Sequence, residues 1–111
     1  MISNTLTQEI NQLHADLCSA LADPTRLILL YALNEQPSNV TGLTQALELP
    51  QPTVSRHLKV LRDGGLVNAL RQGGNVQYAL TDKRVIEALD LLRAVLRERI
   101  EHRASLIKHN E

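Results

Sequence analysis

The sequence has no Trp and no Phe, and its aromatic content is Tyr31 and Tyr78 alone. A core must therefore be assembled from Leu, Ile, Val and Ala, a composition that favours helices. Hydrophobic residues reach 43%, which excludes an intrinsically disordered chain. No apolar run approaches the ~20 residues that a membrane span requires, so no membrane association is expected. The opening residues, MISNTLTQEINQLH, have neither a basic start nor an apolar stretch, and they predict no secretory signal. A single cysteine, Cys18, leaves no intrachain disulfide and fits a reducing cytoplasm. Catalytic layouts are also missing. There is no Ser-His-Asp pattern, no phosphate-cradling Gly loop and no carboxylate pair in an evident cleft, so the chain does not read as an enzyme. Its 111 residues suit one domain over 1–111 with a modest core.

Net charge is absent as well, but only in the sum. Residues 1–50 hold one Arg against five acids, giving −4. Residues 51–84 hold six Lys and Arg against two Asp, giving +4, and residues 85–111 hold five of each sign, giving 0. One third of the chain is thus a local basic patch of the kind phosphate binding needs.

Apolar spacing predicts the elements. Leu6, Ile10, Leu13, Leu17 and Leu21 recur every three or four residues, predicting a helix over 5–21. Asp23-Pro24 is an N-cap followed by the proline that suits a first helical position, opening a helix over about 24–35. A short third helix is expected over about 40–47, closed by Leu49-Pro50. Gln51-Pro52 opens a fourth, with Val54, Leu58 and Leu61 inward and Gly64-Gly65 as its stop. The period then changes to two. Residues 66–71 and 76–80 flank Gln72-Gly73-Gly74-Asn75 and predict a β-hairpin. Thr81-Asp82 caps a long last helix over about 83–107. The order α-α-α-α-β-β-α is a mainly α fold with a hairpin, a winged helix-turn-helix.

The fourth helix and the hairpin carry the candidate function. On the helix, Gln51, Thr53, Ser55, Arg56, His57, Lys59 and Arg62 are the candidate DNA-reading residues. Recognition helices put N-terminal residues on base edges, where Gln and Arg make bidentate contacts to adenine and guanine. At the hairpin, Arg71, Gln72, Asn75 and Gln77 are the candidates, with Arg71 suited to a minor groove or a phosphate. Three cations on an amphipathic helix alone describe an ordinary solvated face. The preceding helix, the Gly-Gly stop and the wing set this one apart.

The stretch Leu21-Ala22-Asp23-Pro24-Thr25-Arg26-Leu27, the run from Gln51 through Arg62 to Val67, and the hairpin ending Tyr78-Ala79-Leu80 together resemble the ArsR/SmtB family over roughly residues 15–100. The resemblance implies a winged-helix homodimer that represses its own operon and is released by an inducer, often a metal or metalloid. Two recognition helices one DNA turn apart (~34 Å) would read double-stranded, palindromic operator DNA. Leu6, Ile10, Leu13, Leu17, Leu89, Leu92, Val95 and Leu96 are the expected dimer interface, against the ordinary reading that they are core.

The family's metal sites are not matched. The Cys-x-Cys of the arsenic-type site corresponds to Asn39 and Thr41 here, and the zinc-type site corresponds to Asp82, Arg84, Val95 and Glu98. Two carboxylates without imidazole make a poor zinc site, so no metal and no cofactor is expected there. Cys18 reads first as a small buried hydrophobe. The sensor reading places His14 one turn before it and His102 near it across packed first and last helices, a set suited to a thiophilic metal or to oxidation. Two alternatives remain open at this point: a regulator without a small-molecule sensor, and a winged-helix protein-interaction module.

Overall fold

The computed structural model describes residues 2–109, so the extreme ends of the expected single domain, Met1 and residues 110–111, lie outside the described residues. The first helix, α1 (Asn4–Leu13), is capped by Ser3, whose Oγ accepts from the Leu6 amide at 3.1 Å. It runs on through a π-helical turn, His14–Cys18, into a last α turn, α2 (Ser19–Leu21). The Ser19 amide there donates to the His14 carbonyl, the five-residue reach that defines a π turn.

The second expected helix is α3 (Pro24–Glu35). Asp23 caps it, accepting from the amides of Thr25 at 2.8 Å and Arg26 at 3.3 Å. Partial burial alone would raise the Asp23 carboxyl. The two amide donors, with His57 and Arg26 close by, bring it below its ordinary value. Asp23→Ala is expected to cost about 1 kcal/mol of stability, and Asp23→Asn much less. Urea unfolding checks this, and an unchanged midpoint in Asp23→Ala would remove the cap from the account.

Next come α4 (Val40–Leu47) and α5 (Gln51–Asp63). Asn39 caps α4, its Oδ1 accepting from the Gly42 amide at 2.7 Å. Glu48 closes α4 in the left-handed region at φ 54°, a place where Gly was the residue to expect. Gly64 ends α5 against the π turn and α2. A Cβ there would lie 2.9 Å from the Asp16 carbonyl and 3.2 Å from the Ala20 Cβ, so only Gly permits this approach.

The hairpin strands β1 (Val67–Gln72) and β2 (Asn75–Leu80) pair antiparallel, from Val67 opposite Leu80 to Gln72 opposite Asn75. The strands thus take in Gln72 and Asn75, and the turn is Gly73-Gly74 alone, with Gly73 at φ 62°. A contact that sequence patterning did not predict ties the wing to the body: Ser38 and Tyr78 exchange backbone hydrogen bonds of 3.0 and 2.8 Å. The last helix, α6 (Arg84–His109), starts at the expected place.

The core gathers Leu29, Leu30 and Leu33 of α3, Leu43 of α4 and Val54, Leu58 and Leu61 of α5, with Leu66, Val67, Ile86 and Leu89 around them. From Leu91 onward α6 has no such cover. The radius of gyration is 17.7 Å, against ~13 Å for a compact chain of this length, and the longest extent is 61 Å. No helix among the described residues is long and apolar enough to cross a membrane.

Candidate nucleic-acid interface

Helix α5 sits over the core on one side and leaves the other free. Val54, Leu58 and Leu61 are fully buried, while Gln51, Ser55, Arg56, Lys59 and Arg62 are exposed and Thr53 is half-buried. Lys59 is tied to Asp63 at 2.8 Å, and that hydrogen bond holds the Asp63 carboxyl below its ordinary value. Arg56 and Arg62 enter no ion pair among the described residues. Pro50 precedes α5, and no side chain caps its first amides. The helix therefore offers an unneutralised N-terminus and two free guanidinium groups on one exposed face.

Expected and observed positions differ for His57. It is buried, at 8% exposure, and its Nδ1 lies 3.2 Å from Nη1 of Arg26. Arginine has only donors, so Nδ1 is the acceptor. His57 belongs under α5 rather than on its free face, because it continues the Val54, Leu58, Leu61 stripe at helical spacing. Arg26 was not among the expected site residues, yet it clamps this region. Its Nε donates to the Ala20 carbonyl at 2.6 Å and its Nη2 to the Ser19 carbonyl at 3.3 Å. The signal was available, since Arg26 is the one cation of residues 1–50.

On the wing, Arg71, Gln72 and Asn75 are exposed. Gln77 is not free in the same way: it is half-buried, and its Oε1 is enclosed without a hydrogen-bond partner. Gln77 pairs with Leu70 and Arg71 with Val76, so Gln77 and Arg71 lie on opposite faces of the hairpin.

The expected dimer residues divide. Leu6, Ile10 and Leu13 of α1 and Leu92, Val95 and Leu96 of α6 are exposed, joined by Leu91 and Ile100. Leu17 is half-buried against the core, and Leu89 is buried within it. Leu89 follows Ile86 by three residues and shares its inward face, so it is a core residue of the single chain.

The sensor set is not assembled within the chain. Cys18 is exposed rather than buried, as are His14 and His102. No group of three His, Cys, Asp or Glu side chains able to hold a metal occurs among the described residues. The positions matching the family's metal sites have other work. Asn39 is a helix cap, and Asp82 is paired with Arg84 at 2.6 Å, which pulls its carboxyl down to about 2.

Comparison with known proteins agrees with this architecture. Residues 23–69 match the bacterial regulatory protein, arsR family. Over 75 residues the chain is 41% identical to the HTH-type transcriptional repressor SmtB of Mycobacterium tuberculosis, covering 68% of this chain and 56% of that protein. The chain thus spans little more than half the length of that relative. It is 43% identical over 83 residues to the HTH-type transcriptional regulator CmtR of Mycobacterium bovis, covering 74% of this chain and 70% of that protein. Among solved structures, the homodimeric winged helix-turn-helix DNA-binding domain of a possible ArsR-family regulator from Mycobacterium bovis aligns with a TM-score of 0.76. Its identity is 30%, covering 91% of this chain and 93% of that one. The fold is a winged helix-turn-helix, and the chain belongs to the ArsR family of bacterial regulatory proteins.

Proposed function

We propose that the protein is a homodimeric transcriptional repressor that binds palindromic double-stranded operator DNA and works by binding alone, in the cytoplasm, without a metal cofactor. The observation that carries this reading is the free face of α5. Arg56 in the helix body and Arg62 in its last turn stand unpaired among the described residues, and the N-terminus is uncapped, with Gln51 and Ser55 exposed at the end that enters a groove. Arg71 on the wing is a further exposed cation. The paired state of Asp82 and the capping role of Asn39 support the absence of a metal at the family's positions. Release by an inducer or by a redox change completes the proposal, and the exposure of Cys18 supports a redox route.

Fluorescence anisotropy on the DNA upstream of the protein's own gene tests the reading. Arg56→Ala is expected to weaken binding about 10- to 100-fold, the value of one good base or phosphate contact, with the protein still folded. Affinity should also fall steeply with salt, by a log–log slope of roughly 0.9 per phosphate neutralised. An unchanged affinity in Arg56→Ala takes Arg56 off the reading surface, and a flat salt response counts against DNA altogether.

A further inference from the structure

Between α3 and α6 lies a partly open cavity of about 470 Å³, within the range typical of small-molecule sites. Pro24, Leu27, Ile28 and Leu89 form its apolar walls, and Tyr31 and Arg93 stand at its polar end. Tyr31 Oη donates to Asp90 Oδ1 at 2.6 Å, and the Arg93 guanidinium lies 5.2 Å from the centre of the Tyr31 ring. Partial burial, and then the Asp90 carboxylate, push the Tyr31 phenol up. This cluster is the polar link between the two helices, and the DNA-reading residues on α5 take no part in it.

We propose that this cavity is the inducer site and that it takes a small organic carboxylate, with its apolar body against Leu27, Ile28 and Leu89 and its carboxylate on Arg93. The proposal rests on the repressor reading above. Charge complementarity selects the ligand. Arg93 is the cation of the cavity, and its present anionic neighbour, Asp90, is 3.5 Å away, longer than the 2.7–2.9 Å of a strong charge-assisted hydrogen bond. An incoming carboxylate can therefore make a better bond to Arg93 than Asp90 does. The site borders the surface left for a second copy, since Leu96 and Ile100 lie only about 60° and about 20° around α6 from Arg93. Leu92 and Val95, roughly 100° and 160° away at about 100° per residue, face elsewhere. Occupation by the carboxylate disturbs Asp90, and with it the Tyr31 link that joins α3, which packs on the reading helix, to α6.

The test uses the full chain and cyclohexanecarboxylate, which is transparent where tyrosine absorbs. With no Trp present, Tyr78→Phe leaves Tyr31 as the only strong fluorophore and a reporter inside the cavity. A saturable change in emission is expected, with a Kd of about 1 mM for so small a ligand. Arg93→Gln, or the neutral cyclohexanecarboxamide, should weaken it about tenfold or more. Ile28→Phe, which fills the cavity from an exposed position, should weaken it too. The same carboxylate should lower operator affinity. No saturable change, or an equal one in Arg93→Gln, overturns the site. Binding that leaves the affinity of a DNA-bound protein unchanged overturns its role as inducer site. A chain that fails to bind operator DNA without ligand defeats the repressor reading instead, and the tyrosine titration still decides the cavity.

Discussion

Leu92→Glu is expected to give a folded monomer that loses at least about 100-fold in operator affinity. Leu92 is 64% exposed in the single chain, and Val95, Leu96 and Ile100 continue the apolar surface along α6 with no cover from the rest of the protomer. A long helix so apolar on its free side is unstable as a solvent surface, and α1 presents Leu6, Ile10 and Leu13 in the same unpartnered condition. In a twofold dimer each patch meets its own copy, so one substitution introduces two carboxylates into the interface. Burying such charges without partners costs several kcal/mol, enough to dissociate the pair at micromolar concentration. Because Leu92 makes no part of the protomer core, helical content should be unchanged. Leu89→Glu is the contrasting variant, and it should unfold the chain because Leu89 is buried. Sizing separates the outcomes: wild type at twice 12.4 kDa and Leu92→Glu at 12.4 kDa. The loss in affinity follows from the loss of the second half-site, since a linked pair of modules gains roughly 10²–10⁴ over one. A Leu92→Glu protein that stays dimeric would place the interface elsewhere.

What could be read from the sequence was what local chemistry decides. The Asp23-Pro24 start, the Gly64-Gly65 stop and the Gly73-Gly74 turn each depend on a few neighbouring residues, and α3, α5 and the hairpin lie where those signals put them. The basic face of α5 was legible for the same reason, since its apolar stripe fixes which side is free. What escaped was decided by distant partners. The π turn at His14–Cys18 keeps Leu13 and Leu17 near one face, so helical periodicity alone does not betray it. The Ser38–Tyr78 pairing joins residues forty positions apart, from Ser38 to Tyr78, and leaves no local pattern. His57 and Leu89 were different. Both continue a buried stripe at spacings of three, His57 after Val54 and Leu89 after Ile86, so strict periodicity would have placed them inside. A polar side chain in one case and an expected interface in the other weighed against that spacing. Gln77 was misplaced by treating the hairpin tip as one surface, when successive strand residues face opposite ways.

Arg26→Ala is the second substitution with a large expected effect, and it tests whether the reading helix is held in place from beneath. The Arg26 fork reaches three acceptors on two elements: the Ser19 and Ala20 carbonyls of α2 and Nδ1 of His57 on α5. The two carbonyls are in the last turn of a helix, where the Ser19 carbonyl has only the Ala22 amide at 3.4 Å as a further donor. Truncation removes the Arg26 donor from the buried His57 acceptor and from both carbonyls, of which Ser19 keeps the Ala22 amide. Hydrogen bonds to a charged group are worth about 1.5–3 kcal/mol each, and Arg26 is only half-buried, so a total loss of about 2–4 kcal/mol is expected. The melting temperature should fall by roughly 10 °C or more at fixed protein concentration. Arg26→Lys should recover little of this, because one ammonium cannot serve three acceptors held by a planar fork. Operator affinity should fall as well, since His57 adjoins Arg56 and a loosened α5 no longer presents that guanidinium in one position. A double-mutant cycle isolates the clamp. In the Arg26→Ala background His57→Leu should cost less than it does in wild type, because the orphaned acceptor is already unpaired there. Equal costs in the two backgrounds, or a loss below about 0.5 kcal/mol in Arg26→Ala, would mean that α5 is held by the packing of Val54, Leu58 and Leu61 alone.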